Sequence, residues 1–223
     1  MKSMFSLVTR AIQFLANFIK LDLNTVLAKV AERLAYFPLG GYHPGLYEVL
    51  EHEGQLELCD EGGHQVIYTK RQKVKFLQDN IIAYQDQAWG DGEIFADYNC
   101  TPGVPVDRYR EGNRYRVLIS LREAKKHNDV EQFHIQRTIT EGFTSAKEDF
   151  QTDIDHMTRH LTLQIVFPAN RPPQHVYLIE RHAKRSRELG TDHVHSLADG
   201  RIEVNWQTTT PKLYETYILR WEW

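Results

Sequence analysis

Apolar residues recur with two different periods along this chain, and the change from one to the other falls near residue 41. Over residues 4–20, Met4, Val8, Ala11, Leu15 and Phe18 alternate spacings of four and three, and Phe5, Ile12 and Ile19 add a second row. This is a helical period with an apolar face wider than one packing stripe needs. A second helix is predicted from about Asn24 to Tyr36, with the stripe Val26, Leu27, Val30 and Leu34. Asn24 or Asp22 would cap it, and Pro38 and Gly40-Gly41 would stop it.

From Leu46 onward, strand-like alternation takes over. Short strands are predicted at 46–50, 55–58 and 64–68, with Asp60-Glu61-Gly62-Gly63 as a turn. Further strands are predicted at 93–98, 115–121, 133–139, 161–167, 175–181, 194–197, 201–206 and 214–223. Leu161, Leu163, Ile165 and Phe167 should share one buried face, as should Tyr217, Leu219, Trp221 and Trp223. Asp199-Gly200 reads as a two-residue hairpin turn that opposes Leu197 with Ile202 and His195 with Val204.

One helix is expected among these strands. Ser145-Ala146-Lys147-Glu148 matches a capping box, and Ala146, Phe150, Ile154 and Met157 then give an apolar stripe. The fold class predicted is therefore α+β. A helical hairpin over residues 1–41 would precede a β-rich domain over 42–223, built as an antiparallel β-sandwich or open barrel with one inserted amphipathic helix.

Composition narrows the functions open to such a fold. With a net charge of −3, the chain lacks the bulk positive charge of a nucleic-acid binder. The apolar stretch at 4–23 is interrupted by polar and charged residues, so no transmembrane span is expected, and its polar face is too weakly basic to favour a membrane surface. Two cysteines, Cys59 and Cys100, outside any CxxC pair suit a reducing compartment, so the expected location is cytoplasmic. Their pairing is left open by the sequence. No phosphate-binding or dinucleotide motif and no GxSxG nucleophile is present, and no cofactor is expected.

Four groups of residues are candidates for chemistry. Asp149, Asp153, His156 and His160 would lie on one face of the inserted helix, as a metal or acid–base stripe, although His160 sits where the next strand begins. His193 and His195 would share a strand face. Arg181, Lys184, Arg185 and Arg187 form a basic loop able to grip a phosphate-containing ligand. The stretch from Ile81 to Gly103 holds a glycine-punctuated acidic loop, in which Tyr84, Asp86, Trp89, Asp91 and Glu93 would face a protein partner. Together these features point to a non-catalytic recognition or regulatory module. It would be a protein-interaction adaptor or a sensor of a phosphate or nucleotide anion, with self-association or partner docking through residues 4–37. A metal-assisted hydrolase using the Asp/His face is the alternative.

Overall fold

The computed structural model describes residues 45–223; both helices expected before residue 41, and the association surface assigned to residues 4–37, lie outside the described residues. Among the described residues there are fourteen strands. They are β1 (Tyr47–Leu58), β2 (Gln65–Phe76), β3 (Ile81–Ala88), β4 (Glu93–Thr101), β5 (Val104–Glu111), β6 (Arg114–Lys125), β7 (Val130–Thr140), β8 (Lys147–Asp153), β9 (Thr158–Phe167), β10 (His175–Glu180), β11 (Arg185–Glu188), β12 (Val194–Ser196), β13 (Ile202–Thr208) and β14 (Thr216–Glu222). The one helical element among them is a 3-10 turn, Thr191–His193.

The strands form three sheets: a seven-stranded sheet in the order β12-β13-β9-β1-β2-β7-β4, a four-stranded sheet β11-β10-β14-β8, and a three-stranded sheet β3-β6-β5. Alternation places one face of the large sheet inward. On β2 that face is Val66, Tyr68, Lys70, Gln72, Val74 and Phe76, and on β7 it is Phe133, Ile135, Arg137 and Ile139. The apolar members of this face fall into two clusters. In one, Leu56, Leu163, Ile165 and Phe167 of the large sheet pack with Phe150, Leu178, Leu219 and Trp221 of the four-stranded sheet. In the other, Val74, Phe76, Phe133 and Ile135 pack with Tyr84, Val117 and Ile119 of the three-stranded sheet. Each fully buried large side chain contributes about 1.5–3 kcal/mol. The two small sheets thus each cover part of one large sheet.

The α+β expectation is overturned on its described part. The segment predicted as an amphipathic helix is strand β8, whose residues pair antiparallel with β14 from Thr216↔Asp153 to Glu222↔Lys147. The capping-box contact does form, since Glu148 Oε1 accepts from the Ser145 backbone N–H at 2.6 Å, but an extended chain follows it. The sheets are also not purely antiparallel: β1 and β9 run parallel, from Val49↔Thr158 to Glu57↔Val166. The expected strands at 46–50 and 55–58 are one strand, β1, carrying a bulge between Val49 and Glu51. At the Asp199-Gly200 hairpin the register differs by one residue, with Ser196 opposite Ile202 and His195 opposite Glu203. The loop is longer than the two-residue turn: Leu197 N–H donates to the Arg201 carbonyl, and Gly200 N–H to the Leu197 carbonyl.

Both long apolar alternations hold. Leu161, Leu163, Ile165 and Phe167 are fully buried, as are Leu219 and Trp221, and Trp223 packs against the same cluster. Among the described residues no helix is long and apolar enough to cross a membrane. Both cysteines are free thiols.

Candidate functional site

Between the two apolar clusters the inward-facing positions turn polar. Lys70 and Gln72 occupy the core parity of β2, Arg137 sits between Ile135 and Ile139 on β7, and Asp86 sits between Tyr84 and Ala88 on β3. Lys70 is 7% exposed, Arg137 8% and Asp86 1%, so each must be satisfied by protein or by a ligand.

Lys70 Nζ donates to Asp86 Oδ1 at 2.5 Å, and the Tyr98 hydroxyl donates to Oδ2 at 3.1 Å. Burial alone would raise the Asp86 carboxyl. The Lys70 ammonium, and after it the Arg137 guanidinium, more than offset that and hold it below the usual carboxylate range. Burial likewise opposes the charge on Lys70, and Asp86 reverses the effect, keeping the amine above its ordinary value. Such a pair roughly breaks even for stability. Its persistence in a core is a reason to look for function.

A second chain of contacts runs from Tyr84 through Gln72 to His52. The Tyr84 hydroxyl donates to Gln72 Oε1, and Gln72 Nε2 lies 3.4 Å from His52 Nδ1. With its oxygen occupied as an acceptor, the Gln72 amide offers N–H to Nδ1, so His52 carries its proton on Nε2. Burial, then the nearby Lys70 ammonium, pushes His52 down to about 3, so the ring is neutral near pH 7. Tyr84 stacks on Phe133 with ring centroids 3.9 Å apart, and burial followed by the Asp86 charge drives its phenol well above its ordinary value. Arg137 lies over the Tyr68 ring at 4.2 Å.

Three donors in this layer are left over. His52 Nε2, Arg137 Nε and Arg137 Nη1 are buried and have no hydrogen-bond partner among the described residues. Each such group costs about 1–3 kcal/mol when left unmet. His52, Lys70, Gln72, Tyr68 and Arg137 line a cavity of about 710 Å³ bounded by all three sheets. That volume lies within the usual range for small-molecule sites. Trp89 and Asp91 line it from the β3–β4 loop. Gly92, at φ +70°, lets this loop approach the large sheet, since a Cβ there would collide with the Thr140 carbonyl oxygen.

The residues singled out in the sequence are dispersed. Tyr84 and Asp86 do not present an outward loop: they belong to strand β3 and are buried at 2% and 1% exposure. Trp89 lies beneath the Arg114 guanidinium at 4.7 Å, while Asp91 and Glu93 are exposed. Arg181 and Lys184 belong to a hairpin turn, and Arg185 and Arg187 to the strand β11 that follows it. All four residues are exposed: Arg181 donates to Gln151, Arg185 pairs with Glu180 at 2.6 Å, and Arg185 and Arg187 line a separate shallow pocket with Lys212. Asp149, Asp153 and His156 line the cavity, but as strand and turn residues rather than as a helix face, and His160 lies on β9 away from it. Asp149 is held by a two-pronged contact from Arg220, and His156 stacks on Tyr47 at 4.3 Å. His193 sits in the 3-10 turn and hydrogen-bonds the Asn205 carbonyl, apart from the strand that carries His195. Among the described residues no three His, Cys, Asp or Glu side chains are grouped to hold a metal ion.

The cavity residues missed in the sequence do carry a signal there. Lys70 lies in a run with Arg71, Lys73 and Lys75 that reads as a solvated face. Arg71 and Lys73 do face outward, pairing with Glu53 and Glu51 on β1. Lys70 has the opposite parity, that of Val66, Tyr68, Val74 and Phe76. A charged residue on the apolar parity of a strand is the mark shared by Lys70, Arg137 and Asp86.

No protein-family model matches the sequence, and no curated protein matches it. Among solved structures the chain is similar to a candidate protease from Parabacteroides distasonis ATCC 8503, at 9% identity and a TM-score of 0.47, over 81% of this chain and 41% of that one. It is similar also to an M1 zinc metallopeptidase from Deinococcus radiodurans, at 8% identity and a TM-score of 0.47, over 78% of this chain and 42% of that one. The chain therefore spans about four tenths of the length of those proteins.

Proposed function

We propose that this protein is a binding module that takes a small organic molecule bearing an oxyanion, such as a carboxylate, into the cavity between its three sheets. The observation that carries the reading is the set of unmet donors on Arg137 and His52 at a cavity wall. All three are donors, so the matching ligand group is an acceptor. The formal charges of the buried layer, Lys70, Arg137 and Asp86, leave one positive charge in excess, which favours an anion over a neutral acceptor. The anionic-ligand sensor expected from the sequence is retained in this reading. Its grip moves from the exposed 181–187 segment to the buried layer, where a charged hydrogen bond is not screened by water.

The test is a titration of the purified protein with caproate, followed by NMR of the histidine and arginine side-chain resonances. Shifts at Arg137 and His52 that saturate, and that disappear in Arg137→Met, are expected. Loss of one charge-assisted contact corresponds to about a tenfold or greater weakening. Shifts elsewhere only, or unaltered titration of the Arg137→Met protein, would rule the cavity out as the site.

A further inference from the structure

The cavity is not uniformly cationic. Its floor, formed by β2 and β7 of the large sheet, carries Lys70 and Arg137. The wall formed by β8 and the turn after it carries only acids among its charged side chains beyond Lys147: Glu148, Asp149, Asp153 and Asp155. Most of these acids are already engaged. Arg220 holds Asp149 at 2.6 and 2.7 Å. Asp153 accepts from Arg114, from Gln151 Nε2 at 3.0 Å and from Thr216 Oγ1 at 2.7 Å. Asp155 accepts from Gln87 Nε2 at 2.8 Å. Glu148 is different, because among the described residues its hydrogen-bond partners are the backbone N–H and hydroxyl of one neutral residue, Ser145. No cation lies within ion-pair distance of it among the described residues, and Asp91 is another acid lining the same cavity. Burial pushes the Glu148 carboxyl up, and the Asp91 and Asp149 charges add to that. A cation arriving at this point would relieve a repulsion that the protein leaves in place.

The two ends are joined by aromatic surface. Arg137 lies over Tyr68, and the Tyr68 ring meets the Phe150 ring edge-on at 5.8 Å. Glu148 is two residues before Phe150 on β8, on the same face of that strand, so the two side chains are about 7 Å apart along it. The cationic floor and the unpaired acid are therefore separated by a length of order 10 Å, spanned by rings.

We infer that the ligand is an elongated zwitterion, with its oxyanion on Arg137 and His52, its protonated amine on Glu148, and an apolar stem against Tyr68 and Phe150. This rests on the oxyanion reading above and adds the second charge and the spacing. An α-amino acid, with its two charged groups on one carbon, is too short to reach both ends. An ω-amino acid or a short peptide has the required length.

Three probes of one chain length separate the two readings: ε-aminocaproate, caproate and n-hexylamine. Ligands this small bind weakly, and dissociation constants on the order of 10 mM or tighter are within reach of NMR titration. The wild-type protein should bind ε-aminocaproate about tenfold more tightly than caproate, the effect of one charge-assisted contact. In Glu148→Gln the two should bind alike. Equal affinity for ε-aminocaproate and caproate in the wild-type protein would overturn the zwitterion while leaving the oxyanion reading intact. Binding of n-hexylamine in place of caproate would overturn the oxyanion reading instead, and silence from all three would overturn both. The wild-type comparison decides the matter even if the variant does not fold.

Discussion

At the scale of the residue, His52 carries the clearest consequence of the buried layer. It is an imidazole kept neutral, facing Lys70 on β2 and Asp86 on β3, with Nδ1 committed to Gln72. Its folded value is about 3, against 6.5 for the unperturbed ring. Between those two values the unfolded chain binds a proton that the folded protein refuses, so stability must fall as pH falls. The stabilising contribution is complete above about pH 6.5 and is lost progressively down to about pH 3, with a slope of up to about 1.4 kcal/mol per pH unit from this group. Asp86 adds to the loss at the acidic end, because its depressed carboxyl must take up a proton while it faces the Lys70 ammonium. The two contributions separate by substitution. His52→Asn retains an acceptor for Gln72 but does not titrate, so urea unfolding at stepped pH should give a shallower stability slope between about pH 4 and 6.5 than in the wild-type protein. Parallel slopes would mean that His52 takes up its proton in the folded state without penalty.

At the scale of the element, strand β8 shows what the sequence conveyed and what it concealed. Strands β9 and β14 were legible because their apolar residues alternate without interruption, and alternation has only one structural reading. Around β8 the diagnostic pair is Phe150 and Ile154, the residue just after the strand, and a spacing of four lies on one face of a helix and on one face of an extended chain alike. Thr152 breaks the tie. It is 5% exposed, on the same buried side as Phe150 and Ile154, where a helix would turn it to the opposite side. The capping box reinforced the wrong choice, because Ser145 and Glu148 make their contact whether or not a helix follows. The cavity was illegible for a related reason. Its floor comes from β1, β2 and β7, and only strand parity, together with the bulge in β1, turns His52, Lys70 and Arg137 to the same inward face. The strand reading makes a prediction of sign. Thr152→Ala would stabilise a helix by raising its propensity, but in β8 it removes a β-branched, buried side chain. Thermal unfolding of Thr152→Ala should show a loss of about 1 kcal/mol, and a gain would contradict the strand.

At the scale of the whole molecule, two small sheets share one large one, and the cavity exists because they do not meet over its middle. What joins them there is polar. Arg114 of β6 donates to Asp153 of β8 and, at 3.1 Å, to Gln87 of β3, while its guanidinium covers Trp89. Gln87 passes the link on to Asp155, and Arg116 supports Gln87 from the same sheet at 2.7 Å. Asp153 in turn is tied to β14 through Thr216. A seam of this kind couples the four-stranded and three-stranded sheets more by directional contacts than by area, so its members should act as a unit. Arg114→Met retains the stem over Trp89 and deletes the charge, leaving the largely buried Asp153 carboxylate with only its neutral partners. The expected cost is about 1–3 kcal/mol. In a double-mutant cycle with Asp153→Asn, the combined loss should fall short of the sum of the single losses by at least about 0.5 kcal/mol. Native-state hydrogen exchange should show where the coupling acts. In Arg114→Met, protection should fall in β8 and β3 while the amides of β1 and β2, held in the centre of the large sheet, keep theirs. If the two losses add, or if all three sheets lose protection equally, the two small sheets are held by the large one alone, and the seam is a surface feature with no part in closing the cavity.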